Sequence, residues 1–161
     1  MDFKTGDWVV HCTQGLGQIN AVEERTFGAT TALYYLVQIA DLSIWVPADE
    51  NINKRIRKPV NQAGFQSLFS ILSSSPEALP TDRRQRNQYL SDTLKEGSPE
   101  AICRVIRDLT AHRKNRTWNE YDGELIRRIK KTLISEWSFS FSINPHDAEN
   151  ELQKLLTQNA A

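Results

Sequence analysis

The sequence predicts an α+β protein in which an all-β head is followed by an all-α tail. Up to about residue 60, short apolar runs rich in β-favouring residues alternate with turn residues, as in small barrels and sandwiches. From residue 61 onward, apolar residues instead recur at the i, i+3, i+4, i+7 spacing of one helix face. The length of 161 residues suits one globular unit or two small ones. We therefore expect a head domain over residues 1–56 and a helical domain over residues 61–161.

The head is predicted to form a five-stranded, SH3- or Tudor-like small barrel. Four of its strands are expected at residues 8–11, 18–24, 33–39 and 43–47. The segment Gly15-Leu16-Gly17 is predicted to be a tight hairpin turn, where glycine tolerates positive φ. It lacks the third glycine and the following helix of a phosphate-binding loop. Closing such a sheet would remove most of its unpaired edges.

The tail is predicted to be a compact domain of about five helices. The first helix has an apolar face and ends at a Ser-Pro break, and the second begins after Pro80. The third begins at Ser98-Pro99-Glu100, a capping residue followed by a proline and an acid that suit the first turn. The fourth is expected near the capping-box pattern Thr117-Trp118-Asn119-Glu120, and the fifth at Asn144-Pro145. The apolar faces of the first, third and fourth helices hold Phe65, Leu68, Phe69, Leu72, Ile102, Cys103, Val105, Ile106, Leu109, Leu125, Ile129, Leu133 and Trp137.

Charge is unevenly distributed along the chain, although the net charge is zero. Residues 1–53 hold two cations against seven anions, whereas residues 54–131 hold 17 cations against nine anions, for a net charge of +8. Residues 132–161 hold one lysine against four acids. A positive block of this size is typical of a surface that binds a polyanion, and solvated helix faces carry similar charge.

The residue pattern gives little support to catalysis, metal binding or membrane insertion. His11 and Cys12 are neighbours on a strand, so they point to opposite faces and are poorly placed as base and nucleophile. The two cysteines and three histidines do not have the spacing of zinc ligands. Two cysteines are also too few for a disulfide framework. The chain also lacks an export signal and a long apolar run. We expect a cytoplasmic, non-enzymatic protein without metal or cofactor.

Several residues remain as candidates for binding a partner. Trp45 lies on the opposite strand face from Val46, so it is either exposed as an interface anchor or covered by another part of the chain. Arg25 is either a partner contact or merely solvated. Positive charge at the start of the second helix opposes the helix dipole, at a cost of typically 0.3–1 kcal/mol per residue, and a polyanion partner would account for it. The residues concerned are Arg83, Arg84 and Arg86.

These motifs, in this order, resemble the CarD/CdnL family of bacterial transcription regulators, whose head module also occurs in the transcription-repair coupling factor. The match covers nearly the whole chain. In the head it rests on Phe3-Lys4-Thr5-Gly6-Asp7-Trp8-Val9-Val10-His11, Gly15-Leu16-Gly17-Gln18-Ile19, Tyr34-Tyr35-Leu36 and Val46-Pro47. In the tail it rests on Leu79-Pro80, Arg83-Arg84, Val105-Ile106-Arg107-Asp108-Leu109 and the last long helix.

The resemblance implies a Tudor-like head that pairs an edge strand with the RNA polymerase β subunit, and a helical domain that contacts upstream promoter DNA and stabilises the open complex. Arg25 matches a basic polymerase-contacting position, and Trp45 falls where a basic residue is often found. The polymerase-binding residues so implied are Arg25, Trp45, Val46 and Pro47, and the DNA-binding residues are Arg83, Arg84 and Arg86. No base-reading helix is evident, so non-specific or shape-based DNA binding is expected.

Three positions depart from the family pattern. Cys12 replaces the usual proline after Val-Val-His. Thr81 stands where actinobacterial members carry a tryptophan that wedges into the minor groove, and Gly123-Glu124 replaces a basic pair. These losses leave open an alternative, in which the protein is an adaptor whose helical domain binds another protein and not DNA.

Overall fold

The computed structural model describes residues 3–115 and 119–158, with the backbone alone for residues 114 and 115. The chain divides into two compact units, Met1–Pro59 and Val60–Ala161. Within the described residues, the first unit contains five strands and the second contains five helices. The predicted α+β class, a β head followed by a helical tail, is therefore confirmed.

The head is a single antiparallel sheet with the strand order β4-β3-β2-β1-β5. Strands β2 and β3 are longer than the sequence predicts, because they continue as an exposed two-stranded hairpin whose residues lack an apolar alternation. The fifth strand has only two residues, too few for a periodic signal. The strands are β1 (Trp8–His11), β2 (Gly15–Phe27), β3 (Thr30–Ile39), β4 (Leu42–Pro47) and β5 (Ile56–Arg57), with a 3-10 turn at Ile52–Lys54.

One face of the sheet forms the core of the head. Alternate residues of the central strands point to this face, as the pleat of a strand requires. Burying each such side chain contributes about 1.5–3 kcal/mol relative to leaving it in water. The buried set comprises Val9, Ile19, Tyr35, Val37, Val46, Ile52 and Ile56, and Phe3 packs against it with its ring edge-on to Tyr35.

The Gly15-Leu16-Gly17 segment does not form the turn that the sequence predicts. The turn is at residues 12–14, and the glycines begin β2. Gly15 has a φ of +88°, but Gly17 is required by packing: a Cβ there would lie 2.5 Å from Cγ1 of Ile39 and 2.7 Å from the carbonyl oxygen of Gln38. Close approach of the neighbouring strand β3, and not backbone freedom, therefore explains Gly17.

The helices are α1 (Gln62–Ser73), α2 (Arg83–Leu94), α3 (Pro99–Asn115), α4 (Glu120–Phe141) and α5 (Pro145–Gln158). Their predicted apolar faces form a single core in which Cys103 and Trp137 are buried and Phe69 is partly buried. The cap at Ser98 is present, since its Oγ accepts the backbone N–H of Ala101 at 3.2 Å. No helix of the described residues is both long and apolar enough to cross a membrane.

The start of α4 differs in detail from the prediction. The capping box consists of Asn119 and Asp122, each of whose side chains accepts the other's backbone N–H. The predicted Thr117-to-Glu120 box shares residues with the segment 116–118, which lies outside the described residues. Asp122 consequently sits at the third position of α4 and is fully buried.

Candidate functional site

The face of the head opposite its core carries a partly exposed aromatic surface on β2, β3 and β4. Strand register places Tyr34 beside Pro47, and Leu36 beside Trp45, and partners across neighbouring strands share a face. On β2 the same face holds Arg25 and, at the hairpin end, Phe27, whose ring stacks edge-on to Tyr34 at a centroid distance of 5.1 Å. Aromatic residues of this kind are typical anchors of protein interfaces.

Arg25 and Trp45, two predicted contacts distant in sequence, lie together on this surface. The guanidinium carbon of Arg25 is 4.4 Å from the centroid of the Trp45 ring. Such a cation–π contact contributes about 0.5–1 kcal/mol at an exposed site. Arg25 Nη1 also lies 3.8 Å from Glu23 Oε2. Trp45 is neither a fully exposed anchor nor fully covered by the chain. Its side chain is half-buried, and Arg25 of the same head covers part of its ring.

Strand β4 leaves one edge of the sheet unpaired. Within the described residues it pairs with β3 alone. The backbone N–H of Ala48 donates to the carbonyl of Leu33 at 2.9 Å, which fixes the alternation of the ladder. The N–H and C=O groups of Ser43 and Trp45 therefore point away from β3, toward the open edge.

Val46 and Pro47 contribute to this edge in different ways. Val46 as a whole residue is 2% exposed and belongs to the head core, so its side chain has no surface to offer a partner. It instead fixes the orientation of β4, because a buried residue at this position turns its neighbour Trp45 outward. Pro47 is half-buried, and it has no N–H, so the row of edge donors ends there.

In the helical unit, Arg83 and Arg84 are exposed in the first turn of α2. Asp82 caps this helix, its Oδ2 accepting the N–H of Gln85 at 3.0 Å. Neither arginine has a carboxylate partner within residues 3–115 and 119–158. The predicted grouping of two cations at this helix start is thus available to an anion.

The prediction that Arg86 contacts DNA beside Arg83 and Arg84 is wrong, because Arg86 is buried. Its residue surface is 5% exposed, and its Nη2 donates to Oδ2 of the fully buried Asp122 at 3.1 Å. Its Nη1 donates to the carbonyls of Pro80 and Thr81, each at 3.2 Å. The physical reason is helical phase: Arg86 lies four residues before the buried Leu90, and that spacing was the signal for burial.

Most other cations of the helical unit whose side chains the structure describes are already paired. Arg127 contacts Glu124, Arg104 contacts Glu96, and Lys130 contacts Glu149, which leaves less accessible positive charge than the sequence block indicates. Arg128 and Lys131, one helical turn apart on α4, are exposed without such a partner in the described chain. Arg116 and the side chain of Lys114 lie outside the described residues.

The positions that depart from the family pattern have visible local consequences. Thr81 is exposed, and Glu124 is exposed on α4 beside Gly123, where added atoms would meet open space. Cys12 is exposed, and its N–H donates to the carbonyl of Arg55 at 2.8 Å, extending the pairing of β1 with β5. A proline at position 12 could not make that bond.

His11 and Cys12 show no catalytic arrangement. The His11 Nδ1 accepts the backbone N–H groups of Thr13 and Gln14, at 3.2 and 3.3 Å, so the ring is committed to the turn. Burial lowers the pKa of His11, which favours its neutral form. Among the described residues, no group of three or more His, Cys, Asp or Glu side chains is placed to hold a metal ion.

The fold and these surfaces define a class of protein with a small β head, open at one edge strand, joined to a helical unit with an arginine pair at a helix start. Two known protein domains match the chain, one in the head and one in the helical unit. Residues 3–60 match the "CarD-like/TRCF RID domain", and residues 67–153 match the "CarD, C-terminal domain". The chain therefore belongs to the CarD family of transcription regulators, and its head is an RNA polymerase-interacting domain.

A relative from Bacillus subtilis (strain 168) supports the same assignment. It is named "Putative transcription factor YdeB" and is 24% identical over 136 residues. These residues are 83% of this chain and 89% of that protein. The family resemblance identified from the sequence is thus confirmed.

Proposed function

We propose that this protein is a non-enzymatic, cytoplasmic regulator of transcription initiation. Its head binds the RNA polymerase β subunit by adding a strand of that subunit to β4, and its helical unit contacts upstream promoter DNA. The observation that supports the proposal best is the unpaired edge of β4 beside the Arg25–Trp45 contact. Such binding would modulate the open complex by the difference in affinity for the open and closed states.

Strand addition would use the backbone of β4 for affinity and its side chains for selectivity. The outward N–H and C=O groups of Ser43 and Trp45 supply the hydrogen bonds. The Trp45 ring and the guanidinium of Arg25 flank them on the solvent face and can contact the added strand and its neighbours. The partner needs no sequence motif beyond an exposed strand with compatible alternate side chains.

Ser43→Pro tests the edge directly, because it removes an outward N–H without removing a bond to β3. Ser43→Ala is the matched control, since both variants lose the hydroxyl that donates to Gln38 Oε1 at 2.6 Å. In a pull-down with RNA polymerase, we expect Ser43→Pro to reduce capture about tenfold, the effect of losing one or more hydrogen bonds, and Ser43→Ala to retain it. Equal capture of both variants would contradict strand addition at β4.

For DNA, the proposal rests on Arg83 and Arg84 at the start of α2. Two phosphate contacts would change the slope of log affinity against log salt by about 2. No helix presents base-reading side chains in a matched pattern within residues 3–113 and 119–158, so the contact would be non-specific or dependent on DNA shape. Affinity should accordingly vary little with promoter sequence.

The measurement is a titration of upstream-fork promoter DNA at two salt concentrations. We expect salt-sensitive binding that the double variant Arg83→Glu/Arg84→Glu loses. The matched control is Arg127→Glu/Lys154→Glu, which changes the net charge equally at two exposed residues that already have carboxylate partners. Equal weakening by both double variants would show that only total charge matters, and would remove the assigned DNA site.

A second candidate function is an adaptor whose helical unit binds protein and not DNA. The observations that favour it are the burial of Arg86, the small exposed Thr81 and the acidic Glu124. Polymerase capture by the head, together with no DNA binding even at low salt, would establish this alternative over the first.

A further inference from the structure

The exposed face in the middle of α4 consists of charged residues. Their spacings of three and four residues place them on one side of the helix, opposite the residues of α4 that enter the core. We refer to this set as the α4 charged face. Between residues 124 and 135 its members are the exposed residues Glu124, Arg127, Arg128 and Lys131.

Only part of the positive charge on this face is compensated by the protein itself. Arg127 contacts Glu124, and both side chains of that ion pair are exposed. Arg128 and Lys131 have no carboxylate partner among the side chains that the structure describes. They lie three residues apart on the helix, where two like charges destabilise it. The α4 charged face therefore carries two adjacent cations at a position where helix stability alone would favour an acid beside a base.

This pair lies in the same unit as Arg83 and Arg84, and a buried ion pair links the two helices that carry them. Nη2 of Arg86, on α2, donates to Oδ2 of Asp122, on α4, at 3.1 Å. Along α2, Arg84 is two residues from that link. Along α4, Arg128 is six residues from it, which corresponds to about 9 Å of helix. The two cationic pairs are thus close enough along their helices for one stretch of duplex to contact both.

We propose that Arg128 and Lys131 form a second phosphate contact, through which the helical unit binds duplex DNA with α4 as well as with α2. The inference rests on the DNA contact proposed above for Arg83 and Arg84, and it raises the number of contacted phosphates from about two to about four. Phosphate oxygens supply the negative charge that the pair lacks, and guanidinium and ammonium groups both bind them.

The composition of the α4 charged face favours phosphate over an acidic protein surface. The centres of protein interfaces are depleted of charged residues and enriched in aromatic ones, whereas every exposed residue of this face carries a charge. Phosphate contacts require charge alone and tolerate a wet, open surface. Binding of an acidic peptide to the same cations is therefore an outcome that the test must distinguish.

Glu124 limits the affinity of this site. It occupies Arg127 and places a negative charge one helical turn before Arg128. An acid at this position repels a phosphate and competes with it for the same guanidinium. The site should consequently gain affinity when the charge of Glu124 is removed, a change of sign that a purely structural role of the face does not predict.

The measurement is the affinity of the full-length protein for a duplex promoter fragment at two salt concentrations. Between about 50 and 200 mM salt, four phosphate contacts predict about a 150-fold loss of affinity, and two contacts predict about a twelvefold loss. Wild type should show the first value, and Arg128→Gln/Lys131→Gln should show the second. The control Lys95→Gln/Lys154→Gln removes two exposed lysines that have carboxylate partners, and it should behave as wild type.

Glu124→Gln provides the test of opposite sign. With Arg127 released, five contacts predict about a 500-fold loss over the same salt range, together with tighter binding at the lower concentration. Glu151→Gln on α5 is the matched control, because it releases Lys154 from an exposed pair of the same i, i+3 spacing. It should leave binding unchanged, and an equal change in the two variants would overturn the inference.

Two further results would overturn the inference and leave the proposed function intact. One is a wild-type salt dependence for Arg128→Gln/Lys131→Gln together with lost binding for Arg83→Glu/Arg84→Glu. The other is binding of a capped hexaglutamate peptide as tightly as DNA, lost in Arg128→Gln/Lys131→Gln, which would identify an acidic protein partner. Absence of DNA binding by wild type at low salt would instead remove the proposed DNA contact, and this inference with it.

Discussion

Arg25 in the head and Arg86 in the helical unit each meet a carboxylate, but water reaches only the first pair. The side chains of Arg25 and Glu23 are 43% and 51% exposed, and Nη1 of Arg25 lies 3.8 Å from Oε2 of Glu23. The side chains of Arg86 and Asp122 are 6% and 0% exposed, and Nη2 of Arg86 lies 3.1 Å from Oδ2 of Asp122. The head leaves its arginine available on a surface, while the helical unit uses its arginine to hold itself together.

This contrast determines what each arginine can do. An exposed pair is screened and contributes little, so Arg25 can change partners at small cost to the head. A buried pair cannot lose one member without leaving an uncompensated charge out of water. Arg86 also fixes the Pro80 and Thr81 carbonyls, and it thereby sets the position from which α2 begins.

The largest expected effect is that of breaking the buried pair. Arg86→Ala should destabilise the helical unit by about 3–5 kcal/mol, because Asp122 is left charged and buried. Arg84→Ala, two residues away and exposed, should change stability by about 0.5 kcal/mol or less. Urea unfolding followed by circular dichroism at the helix band measures both. A loss of stability below about 1 kcal/mol for Arg86→Ala would contradict this contrast, because it would show that the buried pair contributes no more than an exposed pair such as that of Arg25.

Replacing both members sharpens the same comparison. Arg86→Leu/Asp122→Leu removes the two charges together, so the double variant should be more stable than Arg86→Ala. Exposed pairs show no such recovery. Additive losses from the two sites would show that packing, and not the desolvated charge, dominates.

Glycines provide the next comparison, again with one in each unit. Gly17→Ala should destabilise the head by about 1–3 kcal/mol, because its Cβ would overlap β3. Gly123→Ala should stabilise the helical unit by about 0.5–1 kcal/mol, since it lies within α4 and faces open space. Thermal unfolding of the two variants checks these opposite signs, and the same sign for both would contradict the packing difference.

A smaller effect is expected at Arg25. Arg25→Ala should lower the stability of the head by about 0.5–1 kcal/mol, the value of an exposed cation–π contact. Denaturant unfolding measures this loss. Arg25→Lys, which keeps the charge but not the flat guanidinium, should fall between wild type and Arg25→Ala. A loss as large as that of Arg86→Ala would show that Trp45 depends on Arg25 for its place in the fold.

The smallest effect is a pH dependence confined to the head. Burial lowers the pKa of His11 from its ordinary value of 6.5, so below that pH the unfolded chain binds a proton that the folded head does not. Stability should therefore be constant above about pH 6.5 and decline as the pH falls below it. His11→Asn, whose Oδ1 can accept the turn N–H groups, should reduce this decline.

Unfolding midpoints between pH 7.5 and pH 5 measure this effect. His146→Asn, at an exposed residue of α5, serves as the control and should leave the decline unchanged. An identical pH profile for wild type and His11→Asn would assign the decline to other groups.

The features that sequence alone predicted were those with local causes. Helical spacing places Leu125, Ile129 and Leu133 in one core because periodicity is a property of a single element. Strand alternation likewise places Val46 inward and Trp45 outward. Fold class and helix starts follow from such signals.

The features that sequence missed have causes distant in the chain. The partner of Arg86 is 36 residues away, and Gly17 is confined by Gln38 and Ile39 of another strand. A basic block likewise does not reveal which of its members have carboxylate partners. Tertiary contacts decide each of these cases, and local sequence patterns do not reveal which residues those contacts bring together.

Pro47 has a consequence for the solubility of the head. An unpaired strand edge is a template on which identical chains can stack without limit. Here the open edge offers the N–H groups of Ser43 and Trp45 and then ends at a residue without one. The edge can therefore accept one short strand of a partner, but it is a poor template for the continuous stacking of identical chains into fibrils.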